Sequence, residues 1–121
     1  MSNVTFDRYI GMQHDEVCGW IDIEPHHCNP TGAINGAVFL SMADNHATGV
    51  ANDAFFEKYG ERKFLVGVDL HATMLANQQG GRVRVTGEAL RVGRRITVVR
   101  SEVLGDGDRL LCAVTSTHVP T

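Results

Sequence analysis

The sequence predicts an α+β domain, a curved antiparallel five-stranded sheet wrapped around one long central helix in the order β-α-β-β-β-β. Three observations lead there. A single apolar stretch from Ala33 to Gly60 lacks strict alternation and is rich in Ala, Leu, Met and Phe, the make-up of a helix. After residue 63 the chain turns to runs rich in Val, Leu, Ile and Thr broken by glycine-containing turns, which is strand composition. The chain has 121 residues and neither an internal repeat nor a low-complexity linker, so residues 1–121 are expected to form one domain around one core.

Each element follows in order. A short opening segment offers Phe6, Tyr9 and Ile10 as one apolar helical face. "EVCGWIDI", Glu16 to Ile23, alternates well enough for a first strand, and Pro25 ends it. The polar loop "EPHHCNPTG" leads into a helix of about five to seven turns, which stops at Gly60 after Glu57 and Lys58. From Ala37 to Val50 its apolar residues cover nearly the whole circumference, so this helix is expected to be enclosed by other structure. Four strands come next: "KFLVGVDLHATML", "RVRVTGEALRV", "RITVVRSEVL" and "RLLCAVTSTHV". Asp106 and Gly107 form a two-residue hairpin signal that pairs the last two strands antiparallel. At Gly87 the alternation of Val83 and Val85 shifts phase towards Leu90 and Val92, which predicts a bulge or sharp bend there.

Composition narrows the function classes. A net charge of -3, with 21% charged and 43% hydrophobic residues, gives no global attraction to nucleic acid or acidic membranes. Cys18, Cys28 and Cys112 are odd in number and contain no CxxC pair, which fits buried thiols in a reducing, cytoplasmic compartment. The start "MSNVTFDRYIGM" is too polar for an export signal. No apolar run approaches the roughly 18 residues a spanning helix needs.

The stretch "HHCNPTGAINGAVFLSMADNH" carries the chemistry. It sets turn residues before an apolar run and then places one carboxylate, Asp44, inside that run. A carboxylate buried there without a partner costs several kcal/mol, on the order of what a buried ion pair must recover, so it is either satisfied by a neighbour such as Thr48 or Asn45, or used. Backbone N–H groups in the first turn, around Gly36 and Ala37, lack intrahelical acceptors and sit at the positive end of the helix dipole, where they suit a developing oxyanion. Gly36 also lets a substrate approach closely. On spacing alone, "PTG" and "NG" serve turn chemistry equally well, with Asn35 as the helix cap. Gly36 and Asp44 are eight residues apart, so one straight helix separates them by roughly 12 Å at about 1.5 Å per residue. Two antiparallel helices related by a twofold axis would bring the first turn of one near the fourth turn of the other.

With its element order and "NPTGAINGAVFLSMAD" leading into the helix, nearly the whole chain resembles the hotdog-fold acyl-CoA thioesterases, specifically the PaaI-like, phenylacetate-pathway branch. Its signature is N-x-x-G-x-x-H-G-G followed by a helix carrying an acid. Asn29, Gly32 and Gly36 match it, Asp44 falls at the acid, and "IGM" and "VGRR" extend the likeness. Asn35 stands where His is usual, Ala37 where the second Gly is usual, and Gly67 where some relatives carry a Ser or Thr that positions water.

The resemblance implies hydrolysis of a small or aromatic acyl-CoA without metal or cofactor. Asp44 would be general base or nucleophile, Gly36 N–H the oxyanion donor, and Asn29 the group orienting the carboxylate or the water. Asn35 would donate its amide where the imidazole is usual. The resemblance also implies a homodimer whose sheet continues across chains along the strand from Val66 to Leu75, with dimers often pairing into tetramers. The departures leave open an alternative, a hotdog protein that binds an acyl thioester or another small apolar ligand without turnover.

Other candidates carry less. His26, His27 and Cys28 are adjacent in a loop, and adjacent side chains do not readily share one tetrahedral ion. His46 points to a different helical face from Asp44, while His71 and His118 lie in strand patterns, so each reads as a packed or surface imidazole. Of the 11 basic residues, Arg82, Arg84, Arg91, Arg94, Arg95 and Arg100 cluster late in the chain. Most suit solvent-facing sheet positions. Arg94 and Arg95, in the turn after Gly93, have the fork geometry to hold coenzyme A phosphates. Aromatics at 7% are too few for a nucleic-acid stacking surface.

Overall fold

A computed structural model describes residues 4–121; residues 1–3, the start of the segment read as lacking an export signal, lie outside the described residues. The elements are α1 (Phe6–Tyr9), β1 (Gln13–His14), β2 (Gly19–Asp22), a 3-10 turn (Pro25–His27), α2 (Gly36–Tyr59), β3 (Leu65–Met74), β4 (Arg82–Val92), β5 (Thr97–Leu104), a second turn (Asp106–Asp108) and β6 (Leu110–Pro120). All strands join one antiparallel sheet in the order β1-β2-β4-β5-β6-β3. The sheet therefore has six strands and not five. The additional strand is the two-residue β1, which pairs with Trp20 and Gly19 of β2 and is too short for alternation to reveal.

Helix α2 forms because its ends are capped and one face is apolar. The Asn35 side chain accepts the Ala37 N–H at 2.9 Å, and Gly60 closes the helix in the left-handed conformation at φ 71 that glycine adopts without steric cost. Phe39, Met42, Ala43, Ala47, Ala51 and Phe55 recur at helical spacing and are buried against the concave face of the sheet. Small residues at 43, 47 and 51 bring helix and sheet close, while Phe39 and Phe55 fill the space at either end. Truncating either phenylalanine to alanine should cost about 3–5 kcal/mol. The enclosure expected of this helix is only half realised within one chain. Ala37, Asp44 and Gly49 are exposed, because the sheet wraps one side of α2 and leaves the other open.

Two corrections concern β4 and the last hairpin. The register shift in β4 falls between Ala89 and Arg91, at Leu90, so the bulge is three residues past Gly87. Gly87 pairs normally with Ser101, and its missing Cβ makes room for His46, whose Cδ2 would lie 3.3 Å from it. The β5–β6 hairpin forms as expected, but Gly105 N–H bonds Arg109 O at 2.8 Å, enclosing Asp106, Gly107 and Asp108. Gly107 and Asp108 both take positive φ, 64 and 61, which suits Gly and Asp.

Side-chain amides fasten β3 to α2. Asn52 Oδ1 accepts the Leu65 N–H at 2.7 Å at the start of the strand. Past its end, Asn77 accepts the Ile34 N–H at 3.1 Å and donates to Ile34 O at 2.8 Å. The two fastenings hold the strand beside the helix from both ends, which fixes what lies between them.

Candidate active site

The loop before α2 is a miniature hairpin. Cys28 and Ile34 bridge antiparallel, and the turn between them is held by Gly32 N–H to Asn29 O at 3.0 Å, with Gly32 at φ 87. Asn29 Oδ1 accepts from Thr31 N at 2.9 Å and Thr31 Oγ1 at 2.6 Å, a side-chain turn that fixes the loop. Buried His27 anchors its base, accepting the Glu24 N–H at Nδ1 (2.9 Å) and meeting Ile10 O at Nε2 (2.7 Å). Both ring nitrogens are thereby occupied with backbone. His26 stays exposed beside it.

This loop delivers the start of α2 with one backbone donor to spare. Asn35 caps Ala37 N–H, and Val38 N–H bonds Asn35 O at 2.9 Å. Gly36 N–H meets no acceptor among the described residues, so of the two donors expected there, Gly36 remains. The cap also turns the Asn35 amide NH2 outward, where no described residue takes it.

Asp44 lies two turns further on. It is exposed, and no described residue donates to its carboxylate; Thr48 Oγ1 bonds Asp44's backbone O at 3.0 Å and Asn45 Nδ2 bonds Ser41 O at 2.7 Å. Neither neighbour that offered a structural explanation for this acid satisfies it. The carboxylate instead faces β3, where a Cβ built on Gly67 would stand 3.1 Å from Asp44 Oδ1. Around it run two adjoining open clefts of about 580 and 650 Å³ between α1, α2 and β3, apolar at Phe6, Leu40, Val68 and Leu70. The opening segment thus makes one helical turn that places Phe6 at the cleft, while Tyr9 stays 78% exposed.

The cleft runs along the open edge of the sheet. β3 pairs only with β6, and its other edge exposes apolar side chains: Val68 at 59%, Met74 at 48%, and Leu75 just beyond at 55%. The strand bulges at Val68, where its register shifts between Gly67 and Asp69, yet an edge this long with this much exposed apolar surface is rarely left unpaired.

Arg94 and Arg95 lie elsewhere, in the β4–β5 turn by the end of α2. Arg94 stacks over Tyr59 (4.4 Å to the ring centre) and approaches Glu61 at 3.7 Å; Arg95 is exposed and pairs with no described residue. His71 is exposed on β3. His46 packs at Gly87, where burial, and secondarily the nearby His14, holds its imidazole below the ordinary histidine range. Among the described residues no group of three or more His, Cys, Asp or Glu could hold a metal ion. Of the cysteines only Cys112 is buried; Cys18 and Cys28 are partly exposed, and all three are free.

Sequence reasoning missed one residue of this site. His118 is fully buried in β6, paired in register with Gly67, and its Nδ1 has no hydrogen-bond partner. Burial pushes its imidazole below the usual histidine range, against an opposing pull from the Asp44 charge. Alternation does place Val114, Ser116 and His118 on one inward face, but the register that sets His118 beside Gly67 is non-local.

Residues 31–112 match the model of the Thioesterase superfamily. Among curated proteins, "Putative esterase Rv1847" of Mycobacterium tuberculosis is 28% identical over 113 residues, covering 89% of this chain and 80% of its own length. The 1,4-dihydroxy-2-naphthoyl-CoA hydrolase of Listeria monocytogenes is 28% identical over 83 residues, 69% of this chain and 64% of its own. The solved structure of the M. tuberculosis protein superposes with a TM-score of 0.90 at 24% identity, covering 98% of this chain and 97% of that one. The Bacillus halodurans BH2602 protein, solved with CoA, superposes with a TM-score of 0.83 at 16% identity over 95% and 74%. Both share this fold.

Proposed function

The chain belongs to the thioesterase superfamily, and from that premise we propose that it hydrolyses a small or aromatic acyl-CoA to the free acid and coenzyme A, at two sites shared across a homodimer. The observation that carries this reading is an unpaired carboxylate, Asp44, facing an apolar cleft on an open sheet edge. A curated relative named a 1,4-dihydroxy-2-naphthoyl-CoA hydrolase and a structural neighbour solved with CoA support the substrate class. An aromatic acyl group also fits a cleft lined by Phe6, Leu40 and Leu70. The PaaI-like branch is our assignment, on the signature residues Asn29, Gly32, Gly36 and Asp44.

Asp44 takes a proton from water as the water oxygen attacks the thioester carbonyl carbon. The carbonyl electron pair moves onto oxygen, where Gly36 N–H of the other chain and the Asn35 amide stabilise it. When the pair returns, the C–S bond breaks, and the departing sulfur takes the proton from Asp44. The Asn29 amide NH2, unclaimed by its own turn, orients the carboxylate or the water. Arg95, with Arg94 once it leaves Glu61, holds the coenzyme A phosphates. Arg94 lies about 50 residues from Asp44 in sequence but beside Tyr59, roughly 22 Å along the helix axis from Asp44 at about 1.5 Å per residue, so the pantetheine arm must span that distance.

Dimer pairing along β3 would cover the open edge and bring the partner's helix start to Asp44; the proposal extends to a dimer of dimers. No described helix is long and apolar enough to cross a membrane, and the free cysteines agree with our placement of the chain in the cytoplasm. The test is thiol release from a panel of short, aromatic and long acyl-CoAs. Asp44→Ala should lower kcat by about 100-fold or more, and equal rates in both proteins would remove Asp44 from the mechanism. The departures at Asn35, Ala37 and Gly67 favour a second reading, an acyl-thioester binder without turnover. Tight binding of a non-hydrolysable acyl-CoA with no hydrolysis across the panel would establish it in place of the first.

A further inference from the structure

We infer that His118 is a positioning residue for hydrolysis: through the gap that Gly67 leaves in β3, its Nδ1 holds the water that Asp44 deprotonates. The inference rests on the reading of Asp44 as the base. A Cβ at Gly67 would stand 3.1 Å from Asp44 Oδ1, 3.6 Å from His118 Cε1 and 3.7 Å from His118 Nδ1. That point is too tight against the carboxylate for a carbon, but 3.1 Å is an ordinary hydrogen-bond distance for a water oxygen, and a water there needs to move only about half an ångström to reach His118 Nδ1 as well. Any side chain larger than hydrogen at position 67 would separate them. An unpaired ring nitrogen at this depth is destabilising, and a water in that space would relieve the cost.

Either tautomer can bond Ser116, and the Asp44 charge favours one of them. Ser116 Oγ lies 2.8 Å from His118 Nε2, and Ser116 is itself buried. If the hydroxyl donates to Nε2, the ring proton sits on Nδ1 and points towards the carboxylate, the arrangement that the negative charge of Asp44 favours. From β5, Thr97 pairs with His118 in register and is uncharged, so Asp44 is the charged group that faces the ring. Burial keeps the imidazole neutral at neutral pH. It then donates one hydrogen bond to the water oxygen without an ion pair to Asp44. The water donates to Asp44, and a lone pair is left for the carbonyl carbon. During attack the proton passes to Asp44, while His118 neither gains nor loses one. His118 also lies beyond residues 31–112, the part of the chain that matches the family model.

The experiment compares His118→Phe and His118→Asn with wild type, using phenylacetyl-CoA as probe. Phenylalanine fills the volume and removes the donor; asparagine places an amide near the position of Nδ1. The expected result is a kcat about 30- to 100-fold lower for His118→Phe with KM changed by less than about threefold, the scale of a misplaced reactant, and recovery to within about fivefold in His118→Asn. A folded His118→Phe protein with wild-type kcat would overturn the inference. So would equal losses in both variants, which would mean packing alone. Nitrogen-15 histidine spectra of the unsubstituted ring serve even if His118→Phe does not fold. They should show the Nδ1–H tautomer and a shift of the His118 signals in Asp44→Asn; the opposite tautomer, or signals indifferent to Asp44→Asn, would refute the proposal. Wild-type rates in Asp44→Ala would instead remove the underlying reading, whereas a slow Asp44→Ala beside a fast His118→Phe would remove this inference alone.

Discussion

The sheet ends differently on its two sides. One edge is β1, two exposed polar residues, Gln13 and His14, too short to template another chain. The other is β3, ten residues long, with Val68, Leu70 and Met74 exposed beside Asp69 and His71, and with Gly67 to Leu70 at the Asp44 cleft. A short polar edge is a common way to keep sheets from joining, and a long apolar one is a liability unless it is covered. The long edge, guarded only by the bulge at Val68 and by Asp69, is the one beside the acid. We read this as economy of position, since on our account one dimer contact both covers the strand and completes the site.

The largest effect should come from breaking the β3 edge. His71→Glu with Thr73→Glu sets like charges across a self-paired strand, at exposed residues that line neither cleft. The variant should sediment as a monomer and lose more than about 100-fold of kcat/KM, given that one missing oxyanion donor already costs about 100-fold or more. Gln13→Glu on the opposite edge should stay within about twofold, the scale of an ordinary surface substitution. An active monomer, or equal losses at both edges, would dissolve the comparison.

A smaller effect should follow from Asn35→Asp, which separates the cap from the chemistry. The carboxylate still accepts the Ala37 N–H, so melting temperature should hold or rise. The variant lacks the amide donor and places negative charge where the oxyanion forms, so kcat should fall about 10- to 100-fold. An unchanged kcat would leave Asn35 as a cap alone.

Arg95→Ala should act further away and more weakly, raising KM for an acyl-CoA about three- to tenfold, as loss of one exposed charge contact does, while KM for the matching acyl-pantetheine stays fixed. Equal effects on both substrates would detach Arg95 from the phosphates.

The smallest effect concerns stability against pH. His46 and His118 both titrate lower in the folded chain, chiefly through burial. The unfolded chain therefore binds more protons as pH falls below about 6.5. Their contribution is complete above that value and is lost progressively towards each folded pKa, so the melting temperature should drop as pH goes from about 7 to 5. His118→Asn should flatten part of that slope, and an identical slope would exclude His118 as its source.

Much of this was legible because it is local. The helix ends follow from Asn35 and Gly60, and the strand runs from Val, Leu and Thr content, to within a few residues. Asp44 is the one acid between Ala37 and Val50, where apolar residues cover nearly the whole circumference of the helix. What the sequence did not reveal depends on pairing across distance. Gly67, His118 and Asp44 meet only because β3 pairs with β6 in one register and α2 lies over both. The Asn52 and Asn77 fastenings depend on the same long-range pairing. The bulge was misplaced because a glycine was read as a backbone irregularity when its role is to leave room for His46.

The shared site is the central claim, and subunit mixing tests it most directly. Gly36 is the first residue of α2, a position that tolerates proline, and a Cβ there would meet only the flexible end of Met74. Gly36→Pro and Asp44→Ala should each be inactive alone. Mixed in equal amounts and allowed to exchange, they should regain about a quarter of wild-type activity, because half the dimers are mixed and each mixed dimer holds one intact site of two in a symmetric pair. No recovery above the sum of the two variants, with exchange and folding confirmed, would place Gly36 and Asp44 in separate functions and contradict the account.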